Sequence, residues 1–217
     1  MIKKLLSYAK GYRSYAFLSP LAIIFEVLIE VAIPFLMSVI VDSGINGIPL
    51  SQKEGFVVDI LLKMGFGEKQ GLELVTSTGL LMIIMACFSL ICGASAAYFA
   101  AKAGMGFGKN LRGAMFGKIQ DFSFSNVDKF STGSLITRMT TDVGMIQNAF
   151  MMALRMLVRS PLMFVMAIAM AVDINKKLSL VFIIIGPALF AVLVFIGSKA
   201  HPRFERMFKK YDKFNTS

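Results

Sequence analysis

The 217-residue chain has no tryptophan, one histidine and two cysteines, and Asp, Glu, Lys and Arg together make up only 17% of it. So little charge excludes an ordinary water-soluble domain, in which about 25% of residues are charged and roughly 45–50% apolar. Here 56% are hydrophobic and mean hydropathy is +0.70. The cysteines, Cys87 and Cys92, lie five apart in one apolar run, on different helical faces and beyond disulfide reach, so two buried, reduced thiols are expected. With His201 alone and followed by Pro202, no set of metal ligands is in view, and a structural histidine is expected. The alternating ten-residue pattern of a membrane barrel is also absent.

What is present is length of apolar sequence, rich in Phe (20) and Met (16). Four stretches reach the roughly 20 residues that cross a bilayer: 16–41, 79–101, 149–172 and 178–198. The fold class expected is therefore an all-α membrane protein. The net charge of +10 would raise nucleic acid as a partner in a soluble protein. Because the basic residues flank apolar runs, the anionic partner is the lipid bilayer and no nucleic acid is expected.

Orientation follows from Lys and Arg. The N-terminal segment carries four, the stretch between spans two and three six, and the C-terminal tail six; the two remaining loops carry three and two. Sixteen against five places both ends of the chain in the cytoplasm. No short apolar core with a small-residue cleavage site precedes span one, so a cleaved signal peptide is not expected. Ile2, Leu5, Leu6 and Ala9 share one face instead, predicting an amphipathic elbow helix over residues 1–14 lying in the membrane interface.

Helical periodicity does not stop at the lipid boundary. Tyr98 to Phe122 lacks proline and alternates Met105, Phe107, Leu111 and Met115 with Lys109, Arg112 and Lys118. Gly104, Gly106, Gly108 and Gly113 are costly in an isolated helix but suit close approach to a neighbour. About 20 residues at 1.5 Å each carry span two some 30 Å into the cytoplasm. Ser123-Phe124-Ser125 breaks this helix, and Ser125-Asn126-Val127-Asp128 has the cap-and-acid pattern of a helix start. Ser131-Thr132-Gly133 predicts a stop, with a new helix from about Ser134 running into span three. Two cytoplasmic extensions joined by a very short transverse helix result. After span four, Phe204, Met207, Phe208, Tyr211 and Phe214 keep a helical period to Asn215-Thr216-Ser217 with no stop signal, so the protein is expected to continue past that point.

Residues 120 to 143 resemble the transmembrane domain of ABC exporters of the bacterial multidrug half-transporter type. The resemblance lies in the Phe- and Asp-containing turn Phe122 to Phe130, then Thr132-Gly133, Leu135, Thr137-Arg138 and Asp142-Val143. Leu154 to Pro161, with Arg155 and Arg159, and the turn-like Asp173-Ile174-Asn175-Lys176-Lys177 extend it, and the arginines of span three look most like the heterodimeric members. The resemblance implies residues 15–217 to be the first four long helices of a six-helix exporter domain, followed in the full-length protein by a nucleotide-binding domain. No Gly-x-x-x-x-Gly-Lys-Ser/Thr loop occurs in these 217 residues, so no catalytic or nucleotide-binding residue is expected among them. ATP and Mg would act only in the full-length, ATP-hydrolysing translocase. Ser125, Asn126, Val127, Asp128, Lys129 and Phe130 look like its coupling helix, and Thr132, Gly133, Arg138 and Asp142 like the adjoining motif. Implied partners are a second half-transporter, identical or different, the nucleotide-binding domains and a hydrophobic or amphipathic small molecule, drug-like or lipid-like, exported across the cell membrane. An ATP-independent multi-span protein, such as a secondary transporter or assembly subunit, is the alternative; the cytoplasmic extensions argue against it.

Glu26 and Glu30 in span one, and Arg155 and Arg159 in span three, are expensive inside a membrane. Counted from Val41 and Val172, Glu26 lies about 23 Å and Arg155 about 26 Å below the outer ends, Glu30 about 17 Å and Arg159 about 20 Å. The depths match in pairs. Two readings fit: a charged cavity lining or gate between helices one and three, or a buried ion pairing that lets both helices insert. Met163 and Met166 share a face with Arg159, and with Met152, Met156 and Met170, which fits either an adaptable drug pocket or a packing seam. Pro20, Pro34, Pro161 and Gly186-Pro187 admit a hinge or a static bend. The orientation is open to direct test: a cysteine placed at Gly47 should react with an impermeant thiol reagent from outside the cell, and one at Ser131 should not; the reverse pattern inverts the topology.

Overall fold

The structure, a computed structural model, describes residues 7–52, 55–121, 132–174 and 176–215, and every regular element among them is helical. Helix α1 (Arg13–Val39) runs directly into a π-helical segment, Ile40–Ile45. A short α2 (Phe56–Lys63) lies between two 3-10 turns, Leu50–Gln52 and Phe66–Glu68. Helix α3 (Gly71–Gln120) is 50 residues long. It is followed by α4 (Thr132–Thr137), a π-helical segment Arg138–Asp142, α5 (Val143–Ile174) and α6 (Lys176–Asn215). Among the described residues four helices are long and apolar enough to cross a membrane: Arg13–Ile45, Gly71–Gln120, Gly133–Val172 and Ser179–Ala200. Residues 1–166 form one compact unit and residues 167–217 another.

Helices α1 and α3 make the backbone of the first unit and run antiparallel. Small residues on α3 let them approach: Ala96, Ala100 and Ala103 are buried, as are Ile23, Val27 and Val31 of α1. Buried Ser19 donates its hydroxyl to the Ala96 carbonyl at 3.0 Å, satisfying a polar group where hydrocarbon offers no partner. At the C-terminal end of α1, α2 and its flanking turns close a core of Leu36, Val39, Leu50, Val58, Leu61, Phe66 and Leu74. Nothing in the sequence reading anticipated this cap, although the apolar run Val57 to Leu62, broken only by Asp59, was its signal.

At the opposite end a second core joins Ala9, Phe107, Leu111 and Val143, with Tyr8, Met115 and Phe150 packed on it. Phe107 and Phe150 stack at 4.7 Å between ring centroids, tying α5 to α3. Three of the four glycines expected at close approaches are there for that reason. A Cβ at Gly104 would run into the Met151 side chain, at Gly106 into the Tyr12 ring, and at Gly108 into the Gln147 side-chain carbonyl. The fourth, Gly113, meets nothing within 4 Å, so its expected role is not observed.

Other expectations need correction. Thr132-Gly133, read as a stop, forms the first turn of α4, where the amides lack intrahelical partners in any case and glycine costs little; Thr137 bonds back to the Gly133 carbonyl at 3.0 Å. Residues 1–6 of the elbow lie outside the described residues. Of its remainder, Tyr8 to Gly11 forms a turn at which Gly11 takes φ 88°, and Ala9 is buried on α3 instead of facing the interface. The Asn110 amide fixes that turn, donating to the carbonyls of Tyr8 (2.7 Å) and Lys10 (2.9 Å). Both cysteines were expected to be buried; Cys87 is exposed and Cys92 half-buried, and both are free thiols.

The glycine contacts set a stability test. Gly106→Ala must displace a tyrosine ring and should destabilise the full-length protein by roughly 1–3 kcal/mol. Gly113→Ala should be neutral or gain up to about 1 kcal/mol from helix propensity. Thermal unfolding in detergent measures both; equal melting temperatures for the two variants would contradict the packing described.

Candidate functional site

Residues four apart share one side of a helix, so α1 presents Glu26 and Glu30 together and α5 presents Arg155 and Arg159. The structure joins three of these four. The two ends of the Arg159 guanidinium reach different acids: Nη1 donates to Glu26 Oε1 at 2.7 Å, and Nη2 to Glu30 Oε1 and Oε2 at 2.9 and 2.8 Å. The planar, charge-assisted fork of arginine suits this geometry; an ammonium would serve the two carboxylates less well. Helix α3 supplies the floor. A Cβ on Gly93 would lie 3.0 Å from Glu26 Oε1, tighter than ordinary contact, so a larger residue there would make the carboxylate shift.

The cluster is graded in exposure. The side chain of Glu26 is 11% exposed, Glu30 31% and Arg159 38%. Its outer members are therefore open on one side, while Glu26 Oε2 is buried with no hydrogen-bond partner. Two carboxylates and one guanidinium leave the group with one net negative charge if all are ionised.

Depth matching predicts two pairs, Glu26 with Arg155 and Glu30 with Arg159. The structure has the second pair, but Glu26 bonds the same Arg159 and not Arg155. At about 20 Å below the outer end, Arg159 lies midway between the acids at about 17 and 23 Å. That is the position from which one fork spans both. Arg155 is exposed and makes no ion pair among the described residues. Met163 and Met166, one and two turns further along α5, are half-buried, whereas Met152 and Met156 are exposed, so the methionine face is not a single sealed seam.

The second candidate region is where the C-terminal end of α3 meets the N-terminal end of α5. Ser125, Asn126, Val127, Asp128, Lys129 and Phe130 lie outside the described residues. Thr132 and Gly133 open α4, and Arg138 and Asp142 begin and end the π-helical segment. That segment was not foreseen. Its wider turn shifts the carbonyl register, and the Met139 carbonyl accepts a bond from Arg112 Nε of α3 at 3.3 Å. Thr140 returns its hydroxyl to the Ile136 carbonyl at 2.8 Å. Arg138 also lines a cavity of about 230 Å³ with Tyr8, Met115, Lys118 and Leu135, so the motif and the N-terminal turn share one surface.

The ionic cluster predicts strong asymmetry between the arginines. Arg159→Gln strands two acids and should lower thermal stability of the full-length protein; Arg155→Gln should change it little. A double-mutant cycle between Glu26 and Arg159 should return a coupling energy of roughly 0.5–3 kcal/mol, held toward the lower end by the partial exposure of the guanidinium. No coupling would make the bridge incidental.

Comparison with known proteins places this geometry in context. The sequence profile described as the ABC transporter transmembrane region matches residues 16–217. The chain is 30% identical over 215 residues to the uncharacterized ABC transporter ATP-binding protein YfiB of Bacillus subtilis, covering 99% of this chain and 34% of that protein. It is 27% identical over 209 residues to a putative ABC transporter ATP-binding protein of Mycoplasma pneumoniae, the MG014 homolog, covering 94% and 33%. The ATP-dependent lipid A-core flippase of Pseudomonas fluorescens is 31% identical over 139 residues, 64% of this chain and 22% of the flippase. The chain thus spans about a third of the length of the first two of these relatives.

Proposed function

Because the chain belongs to the ABC transporter transmembrane region family, we propose that it is the membrane-spanning part of an ATP-driven exporter. Hydrophobic or amphipathic compounds, drug-like or lipid-like, enter from the cytoplasm or inner leaflet and leave outward across the cell membrane. ATP and Mg act in nucleotide-binding domains elsewhere in the full-length protein, and a second half-transporter completes the pathway. Both ends of the present chain face the cytoplasm.

One observation carries the reading. Helix α3 is 50 residues long and unbroken, about 75 Å at 1.5 Å per residue, against a hydrocarbon core of about 30 Å. Apolar residues on a helix far outside the bilayer need a protein surface, and an ATPase domain moving beneath the membrane supplies one. In this reading α3 and α5 are the two arms that reach it. Ser125 to Phe130 form the docking element between their tips, and Thr132, Gly133, Arg138 and Asp142 hold the second arm in position. Within the membrane, Glu26, Glu30 and Arg159 form a gate or lining between α1 and α5, with Met163 and Met166 beside it and Arg155 one turn nearer the cytoplasm. The incomplete burial of Glu30 and Arg159 supports a lining over a sealed structural pair.

The test is at Phe130. In the full-length protein in liposomes, Phe130→Ala removes an aromatic anchor that at an interface is worth roughly 2 kcal/mol or more. Insertion and nucleotide binding should persist, while substrate stimulation of ATP hydrolysis and transport both fall; Asn126→Ala should be tolerated. Wild-type stimulation in the Phe130→Ala protein at equal expression would remove this element from the transmission path.

A further inference from the structure

A groove of about 580 Å³ opens beside the N-terminal end of α1, between it and α5, and its composition is one-sided. Ala9, Ala16, Phe17, Phe150 and Leu154 give it apolar walls, and Arg13 is the charged residue that lines it. Arg13 is exposed, and its guanidinium has no acidic partner among the described residues. Phe17 is 73% exposed, a large aromatic face left mostly open.

Height along the bilayer normal distinguishes this groove from a generic crevice. Counted from Val41 and Val172 as before, Arg13 lies about 42 Å, Phe17 about 36 Å, Phe150 about 33 Å and Leu154 about 27 Å from the outer ends. The hydrocarbon core is about 30 Å thick and the bilayer with its headgroups about 40–45 Å. With about 5–8 Å of headgroup on each side of that core, the inner headgroups lie about 30–38 Å from the outer ends. Phe17 and Phe150 stand at that level, Leu154 reaches the acyl region, and Arg13 lies a few ångströms below, where its side chain is long enough to reach back to the phosphates. The geometry points to a site for one phospholipid of the inner leaflet, its phosphodiester on Arg13 and the upper part of an acyl chain along Phe17, Phe150 and Leu154. Charge selects the class. No acid lines the groove to receive a headgroup amine, so a net-anionic headgroup such as phosphatidylglycerol fits and zwitterionic phosphatidylethanolamine does not. The Asn110 bonds to the carbonyls of Tyr8 and Lys10 hold the turn that closes the lower rim, so the groove is preformed.

The inference rests on the inner-leaflet placement of Arg13 proposed above but not on ATP-driven export. Lipid binding measured without nucleotide and transport measured with it therefore fail independently. The experiment uses the full-length transporter, purified in detergent, stripped of lipid and free of nucleotide. Native mass spectrometry should show a bound phosphatidylglycerol in preference to phosphatidylethanolamine. Arg13→Gln should weaken that binding roughly ten-fold, the loss of one charge-assisted contact, and Arg13→Lys should retain most of it. A second measurement does not depend on that variant. A cysteine at Phe17, in a protein with Cys87 and Cys92 replaced by alanine, should be protected from maleimide by phosphatidylglycerol but not by phosphatidylethanolamine or inorganic phosphate. Equal binding of the two lipids, binding unchanged in Arg13→Gln, or protection by inorganic phosphate alone would overturn the proposal. So would protection in the lipid-free protein, which would mean that the rest of the chain fills the groove.

Discussion

Hydrocarbon neither donates nor accepts hydrogen bonds, and everything within the spans of this protein answers to that fact. Long helices satisfy the backbone internally. Polar side chains inside the spans are least costly with partners on neighbouring helices, and two have them: Ser19 on the Ala96 carbonyl, Arg159 on Glu26 and Glu30. These partnerships fix which helix faces which. Because an unpaired arginine at this depth is costly, α5 cannot rotate freely against α1, and the Gly93 surface of α3 sets how near the acid can stand. Small residues play the part that apolar burial plays in water, since lipid tails are as apolar as leucine and give helices no reason to associate.

The same constraint explains how much could be read in advance. The four spans follow from composition and length, and each expected stretch lies within an observed helix, because no other backbone arrangement of such residues is stable in lipid. The extension of span two beyond its apolar stretch, to Gln120, was legible from continued periodicity between Tyr98 and Phe122. Gly104, Gly106 and Gly108 announced close contacts, though not that Met151, Tyr12 and Gln147 would make them. A glycine signals that something approaches and carries no mark of what.

Less local features were lost. Matching depths located the charged cluster and its Glu30–Arg159 pair but gave Glu26 to Arg155, because counting residues treats each side chain as a point, while a guanidinium is a fork several ångströms wide. The outer cap of α2 escaped because Val57 to Leu62 is too short to cross a membrane and was taken as loop. The π-helical segments Ile40–Ile45 and Arg138–Asp142 left no trace in residue type. Each inserts one residue into a helix, a choice made by packing at its two ends, and periodicity tolerates a slip of that size.

Helix α3 also has a mechanical character that its neighbours lack. Helix α1 carries Pro20 and Pro34 and α5 carries Pro161, each a point of missing backbone bonding where bending is cheap. Helix α3 has no proline along its 50 residues. It behaves as a beam among jointed rods. Pivoted at mid-length, with an arm of about 37 Å, it moves its tip by about 0.65 Å for every degree of tilt. A few degrees of rocking in the lipid thus become a displacement of ångströms at Gln120, amplified by length alone, while the jointed helices beside it absorb the change in angle.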